Sequence, residues 1–195
     1  INNTGTFTAS FDGSITKGEG GEATFKNSGT FVKSNASSGT TDIQSSFANT
    51  GTLEASAGTI KLSGGGSSSG NVALGSGAKL QIAGSDFAVA GGAINGNAGK
   101  LELQSNTTTF SNTTSGDAEV AVAGGTAKFD GTHNGSGKLS LASGAVTGSG
   151  TASFGSFDFT GGTLDAKITS TGATSVSGAS AKTIGSAGEL TLSGT

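Results

Sequence analysis

One short phrase is stated three times at the start of the chain: Ile1-Asn2-Asn3-Thr4-Gly5-Thr6-Phe7, Phe25-Lys26-Asn27-Ser28-Gly29-Thr30-Phe31 and Phe47-Ala48-Asn49-Thr50-Gly51-Thr52-Leu53. Its asparagine recurs from Asn3 to Asn27 and from Asn27 to Asn49 at nearly equal steps. A period of roughly 20 to 50 residues marks a stacked array, because a repeat that short completes its core only against its neighbours. The beat continues beyond Leu53 in a second motif, a glycine followed by a polar residue and an apolar-x-apolar triplet. Examples are Gly58-Thr59-Ile60-Lys61-Leu62, Gly99-Lys100-Leu101-Glu102-Leu103 and Gly137-Lys138-Leu139-Ser140-Leu141. The anchors Ile60, Leu80, Leu101, Val120, Leu139, Leu164 and Leu190 keep this beat, with the last two steps longer than the rest.

Alternation of apolar and polar residues over a few positions is the pattern of a half-buried strand, and no segment carries helical periodicity. Further strands fall between the anchors at Phe87-Ala88-Val89, Thr109-Phe110, Ala127-Lys128-Phe129 and from Phe154 to Phe159. The sequence therefore predicts an all-β parallel β-helix, a β-solenoid of about nine turns of ~19–26 residues with two or three strands each. Residues 1–195 are expected to form one solenoid segment of a longer or self-stacking assembly. With coils ~4.8 Å apart the rod would be on the order of 40 Å long.

Stacking like on like predicts ladders. Phe7, Phe31 and Leu53 should form one inward apolar column, and Ile1, Phe25 and Phe47 another. Asn3, Asn27 and Asn49 should stack with each side-chain amide bonding the next. The 37 glycines are expected at corners that need positive φ, and the absence of proline suits strands whose N–H groups donate to an adjacent coil. Gly64 to Gly70 reads as a loop bulging from one turn, and Asn106 to Ser115 as a polar stretch with a strand around Phe110.

The N-x-G-T-[FL] boxes followed by G-x-L-x-L strands resemble the repeats of large secreted bacterial surface proteins, the filamentous-haemagglutinin-like exoproteins and autotransporter passengers built on a right-handed parallel β-helix. The resemblance covers nearly the whole chain as a pattern. It implies an extracellular or cell-surface rod, stalk or fibre, and it carries no functional residue across.

Little else in the chain suggests chemistry. A net charge of −3 offers no attraction to nucleic acid, and no apolar run reaches the length of a membrane helix. His133, the one histidine, sits in Asp130-Gly131-Thr132-His133 between turn signals and reads as a solvated loop. The carboxylates are spread singly, so no catalytic, cofactor-binding or metal residues are assigned and no cofactor is expected. Lys79, Lys100, Glu119, Lys138 and Glu189 should point outward in one column, their charges joining neighbouring turns. Asn2, Asn35, Asn106, Asn112 and Asn134 satisfy the N-x-[ST] glycosylation pattern.

The expected role is thus a non-enzymatic structural solenoid of a bacterial cell-surface or extracellular protein, an adhesin stalk or fibre subunit. Its start at Ile1 without methionine, in mid-repeat, is what a processed or excised piece would show. Uncapped strand edges would recruit either flanking repeats of the parent chain or further copies head to tail, with host or surface glycans as further partners. Two rivals remain. A carbohydrate-active enzyme or glycan-binding module would show paired carboxylates in a groove, and an ice-binding solenoid would show flat files of threonine beyond Thr6, Thr30 and Thr52.

Overall fold

Three or four residues of alternating burial, then a corner, is the unit from which the molecule is built, as in Thr52–Ala55, Thr59–Leu62 and Lys79–Ile82. The computed structural model describes residues 1–34, 38–96 and 98–194. Among them every strand pairing is parallel, and the chain winds through about nine turns with three faces each. The first coil sets the order. Asn2–Asn3 lies on the first face, Thr6–Ala9 on the second and Gly13–Ile15 on the third. Later strands turn corners without a break, as Glu119–Phe129 and Lys138–Phe154 do. No helix is present among the described residues.

The interior is a set of columns, one residue per coil. On the third face Ile15, Ile43, Leu62, Ile82, Leu103, Val122, Leu141, Phe159 and Val176 form an unbroken aliphatic and aromatic file. Members from Ile43 to Leu141 are fully buried, so each contributes roughly 1.5–3 kcal/mol of apolar burial although no coil has a core of its own. The first step of that file, from Ile15 to Ile43, is its longest, and the last, from Phe159 to Val176, its shortest.

This register corrects two expectations. Leu164 and Leu190 do not continue the file of Leu139. Their neighbours are Val146 on the first face and Ile168 on the second, while Leu139 is followed by Phe157 and then Thr174. The two longer steps at the end of the anchor series arose from jumping between columns. Gly64 to Gly70 is not a bulging loop either. Gly66–Ser68 is a first-face strand between Phe47–Asn49 and Phe87–Val89, and a side chain at Gly66 would strike the backbone of Phe47.

The glycines of the opening phrase also have a different cause from the one expected. Gly29 and Gly51 are not at positive φ. A Cβ on Gly51 would collide with the carbonyl oxygen of Gly29, and one on Gly29 with that of Gly5. Coils ~4.8 Å apart leave no room at that corner for anything larger than hydrogen. Positive φ does govern other corners, such as Gly77 at 72° and Gly144 at 79°.

Candidate functional site

The asparagine column begins at the first coil. The Nδ2 group of Asn3 donates to Asn27 Oδ1 at 2.6 Å and to the Thr30 carbonyl at 2.9 Å, and Asn27 Nδ2 repeats this with Asn49 Oδ1 at 2.7 Å and the Thr52 carbonyl at 2.9 Å. Asn49 then donates to Ser68 Oγ at 3.0 Å. Both amide hydrogens are thereby used, one along the axis and one on corner backbone, which lets Asn27 and Asn49 lie buried at 1% exposure. Beyond Ser68 the same column turns apolar, through Val89, Phe110 and Phe129. A groove of about 370 Å³ runs along the outer side of this corner, lined among others by Asn2, Lys26 and Thr50.

Phe7, Phe31 and Leu53 are register neighbours, with the Phe7 and Phe31 rings stacked at 5.2 Å between centroids. Phe25 and Phe47 are buried beside them. Ile1 stands beside Phe25 in the register set by Asn2 and Lys26, its carbonyl accepting from Lys26 N, and the residue is 60% exposed.

His133 is the clearest correction. It lies within the strand Thr132–Gly135, only 3% exposed, between the rings of Phe129 and Phe154 at 5.7 and 4.8 Å. Its Nδ1 is 2.8 Å from Thr114 Oγ1 in the coil before. Burial pushes its pKa down from 6.5 to about 4, so the ring is neutral at ordinary pH. Asp130-Gly131 does mark a corner, but the next residue already begins a strand. The alignment of Thr113-Thr114-Ser115, Thr132-His133-Asn134 and Thr151-Ala152-Ser153 carried the signal that the central position faces inward.

A second buried polar group was missed altogether. The side chain of Lys33 is wholly buried between Ala9 and Ala55, and its Nζ reaches Asp12 Oδ1 at 3.1 Å, the Phe11 carbonyl at 3.2 Å and Thr41 Oγ1 at 3.1 Å. It ties the loop over the first coil to the second. Nothing in Thr30-Phe31-Val32-Lys33 distinguishes this lysine from a solvated one except strict alternation, which places it inward.

The charged residues of the third face pair with one another across coils. Lys79 lies 3.5 Å from Glu102, Lys100 3.5 Å from Glu119, and Lys138 3.7 Å from Glu119 and 3.2 Å from Asp158. Burial raises the Glu102 carboxyl, but hydrogen bonds from Gln81 and Gln104 and the charge of Lys79 outweigh it and leave the pKa below the ordinary value. The hydrogen bond from Lys138 to Asp158, opposed by partial burial and aided by Glu119, holds the Lys138 ammonium above its ordinary pKa. Glu189 is not in this column. It lies on the second face beside Lys167.

A polar cleft of about 380 Å³ is lined by Asp117, Glu119, Ser136 and Lys138 among others. Both carboxylates there are engaged: Asp117 accepts from Gly96 N at 2.6 Å, and Glu119 from Ser140 Oγ at 2.7 Å. Among the described residues no three His, Asp or Glu side chains are grouped as a metal ion would need, and no helix is long and apolar enough to cross a membrane. The threonine file Thr6, Thr30, Thr52 ends at Asn71. The amides of Asn106 and Asn112 donate to the Gly84 and Ala90 carbonyls of the coil before, and Asn35 lies outside the described residues. Compared with known proteins, the chain matches no family model, no curated protein and no solved structure.

Proposed function

We propose that this chain is a non-enzymatic structural β-solenoid, a rod, stalk or fibre segment of a bacterial cell-surface or extracellular protein. The observation that carries the reading is where the polar side chains are spent. Those with the chemistry to act on a ligand, the carboxylates Glu102, Glu119 and Asp117, the lysines Lys79, Lys100 and Lys138, and the amides Asn27 and Asn49, bond to neighbouring coils instead. Such bonding fixes register and spacing, and the hydroxyl–imidazole contact of Thr114 with His133 is buried away from any ligand. A spacer needs these properties: a set length, regular outer faces and strands closed to proteases.

The sharpest rival is a polysaccharide-degrading enzyme working from the cleft of Asp117 and Glu119. Incubation with a panel of neutral and acidic polysaccharides is expected to leave the number of reducing ends unchanged. Sugar release that vanished in Glu119→Gln would overturn the structural reading. Thermal hysteresis of freezing would instead favour an ice-binding surface, and the interruption of the threonine file at Asn71 speaks against it.

A further inference from the structure

We infer that the polar cleft where the second face turns into the third is a binding site for one uncharged sugar ring, a pyranose. The inference rests on the structural reading above and names a partner for the rod. The cleft measures about 380 Å³, within the roughly 300–1,000 Å³ of small-molecule sites. Its lining is polar where most such sites are apolar, which suits a ligand with many hydroxyls and little hydrocarbon.

Stacking builds the cleft from two rows of side chains. Glu119, Lys138 and Ser156 follow one another in register at the start of the third-face strands, one per coil. Asp117 and Ser136 stand two residues before Glu119 and Lys138, across a floor that includes Gly99 and Gly137, both buried. Neither glycine has room for a side chain. A Cβ on Gly137 would strike the Ala118 carbonyl oxygen, and one on Gly99 the side chain of Leu74. The floor at those two positions is therefore bare backbone.

Bonds between coils use only part of what these side chains offer. Asp117 accepts from Gly96 N on Oδ1, and Glu119 meets Ser140, Lys100 and Lys138 through Oε1. Asp117 Oδ2, Glu119 Oε2 and the hydroxyls of Ser136 and Ser156 have no hydrogen-bond partner among the described residues. Hydroxyls of a pyranose would donate to the two carboxylates, while its other oxygens accept from the Lys138 ammonium and the serines. An anion would meet the carboxylates of Asp117 and Glu119, and a cation the ammonium of Lys138. An uncharged polyol meets neither repulsion.

Titration with the methyl glycosides of glucose, galactose and mannose, followed in proton–nitrogen amide spectra, tests the site. At least one is expected to shift the amides of Gly99, Asp117, Ser136 and Gly137. A dissociation constant of about 1 mM is expected of a single ring held by hydrogen bonds. Ser136→Leu fills the cleft without removing a side-chain bond between coils, and Asp117→Asn keeps the shape while removing a charge. Each should weaken binding by roughly tenfold and leave the rest of the spectrum unchanged. The inference would be overturned by no shift at these residues with any of the three glycosides, or by shifts with calcium ions alone. A Ser136→Leu chain that binds as the wild type does would overturn it equally. Hydrolysis of a bound glycoside would keep the site and overturn the structural reading, whereas no binding, with polysaccharides left intact, would remove the site alone.

Discussion

His133 shows how much a single position can alter the response of a stacked chain to acid. Its folded pKa of about 4 lies below the 6.5 of the unfolded chain, so folding favours the neutral ring. The associated stability is complete above pH 6.5 and drains away as pH falls toward about 4, by about 3 kcal/mol at full titration. Melting temperatures measured between pH 7 and pH 4 should fall more steeply for the wild type than for His133→Phe, which extends the neighbouring aromatic stack without a titrating group. Equal slopes would show that the imidazole is not the sensor. Thr108 offers the opposite kind of test. Its hydroxyl is fully buried between Phe87 and Ala127 and has no hydrogen-bond partner among the described residues. Thr108→Val removes the unmet polar group at nearly constant volume and should stabilise by about 1 kcal/mol in denaturant unfolding. A third contrast separates two glycines of identical sequence context. Gly5→Ala meets nothing within 4 Å, whereas Gly51→Ala strikes the Gly29 backbone. The first should be nearly neutral and the second should cost about 1–3 kcal/mol, measured the same way.

Among the elements, the strands shelter all but one of the ten lysines. Lys17 alone lies outside a strand, in the exposed stretch between Gly13–Ile15 and Thr24–Asn27. Brief trypsin treatment followed by mass spectrometry is expected to show the first cut after Lys17, and early cuts at Lys79, Lys100 or Lys138 would mean that the third face opens readily. The same stretch lengthens the step from Ile15 to Ile43, the longest on the third face. Strand identity was well marked in the sequence: Leu80-Gln81-Ile82, Leu101-Glu102-Leu103 and Leu139-Ser140-Leu141 announce themselves by alternation alone. Strand membership of a column was not, because Leu139, Leu164 and Leu190 look equivalent in a linear reading while the chain has three faces on which a leucine can point inward. The burial of His133 and Lys33 was hidden for a related reason. Residue type argued for water in both cases, and only the register of neighbouring coils reveals that each side chain faces the lumen.

For the molecule as a whole, stability is close to a sum over coil–coil contacts, so it should fade toward an uncovered end. Hydrogen exchange followed by mass spectrometry is expected to show the fastest strand exchange in Thr174–Val176, Lys182–Ile184 and Glu189–Leu192, and the slowest around Lys100–Leu103 and the adjoining coil. Uniform exchange from end to end would point to a single cooperative unit. The serine at position 68 bears on a different property, the order of the coils. It is where a column of amides ends and a column of hydrocarbon and rings begins, the hydroxyl accepting from Asn49 on one side and giving way to Val89 on the other. Coils drawn from either side of that junction are not interchangeable modules. Transplanting the segment around Phe110 next to Asn27 would strand amide hydrogens against an aromatic ring, at about 1–3 kcal/mol for each group left unmet. Recombination could lengthen this rod on either side of Ser68, but it could not shuffle its parts across it.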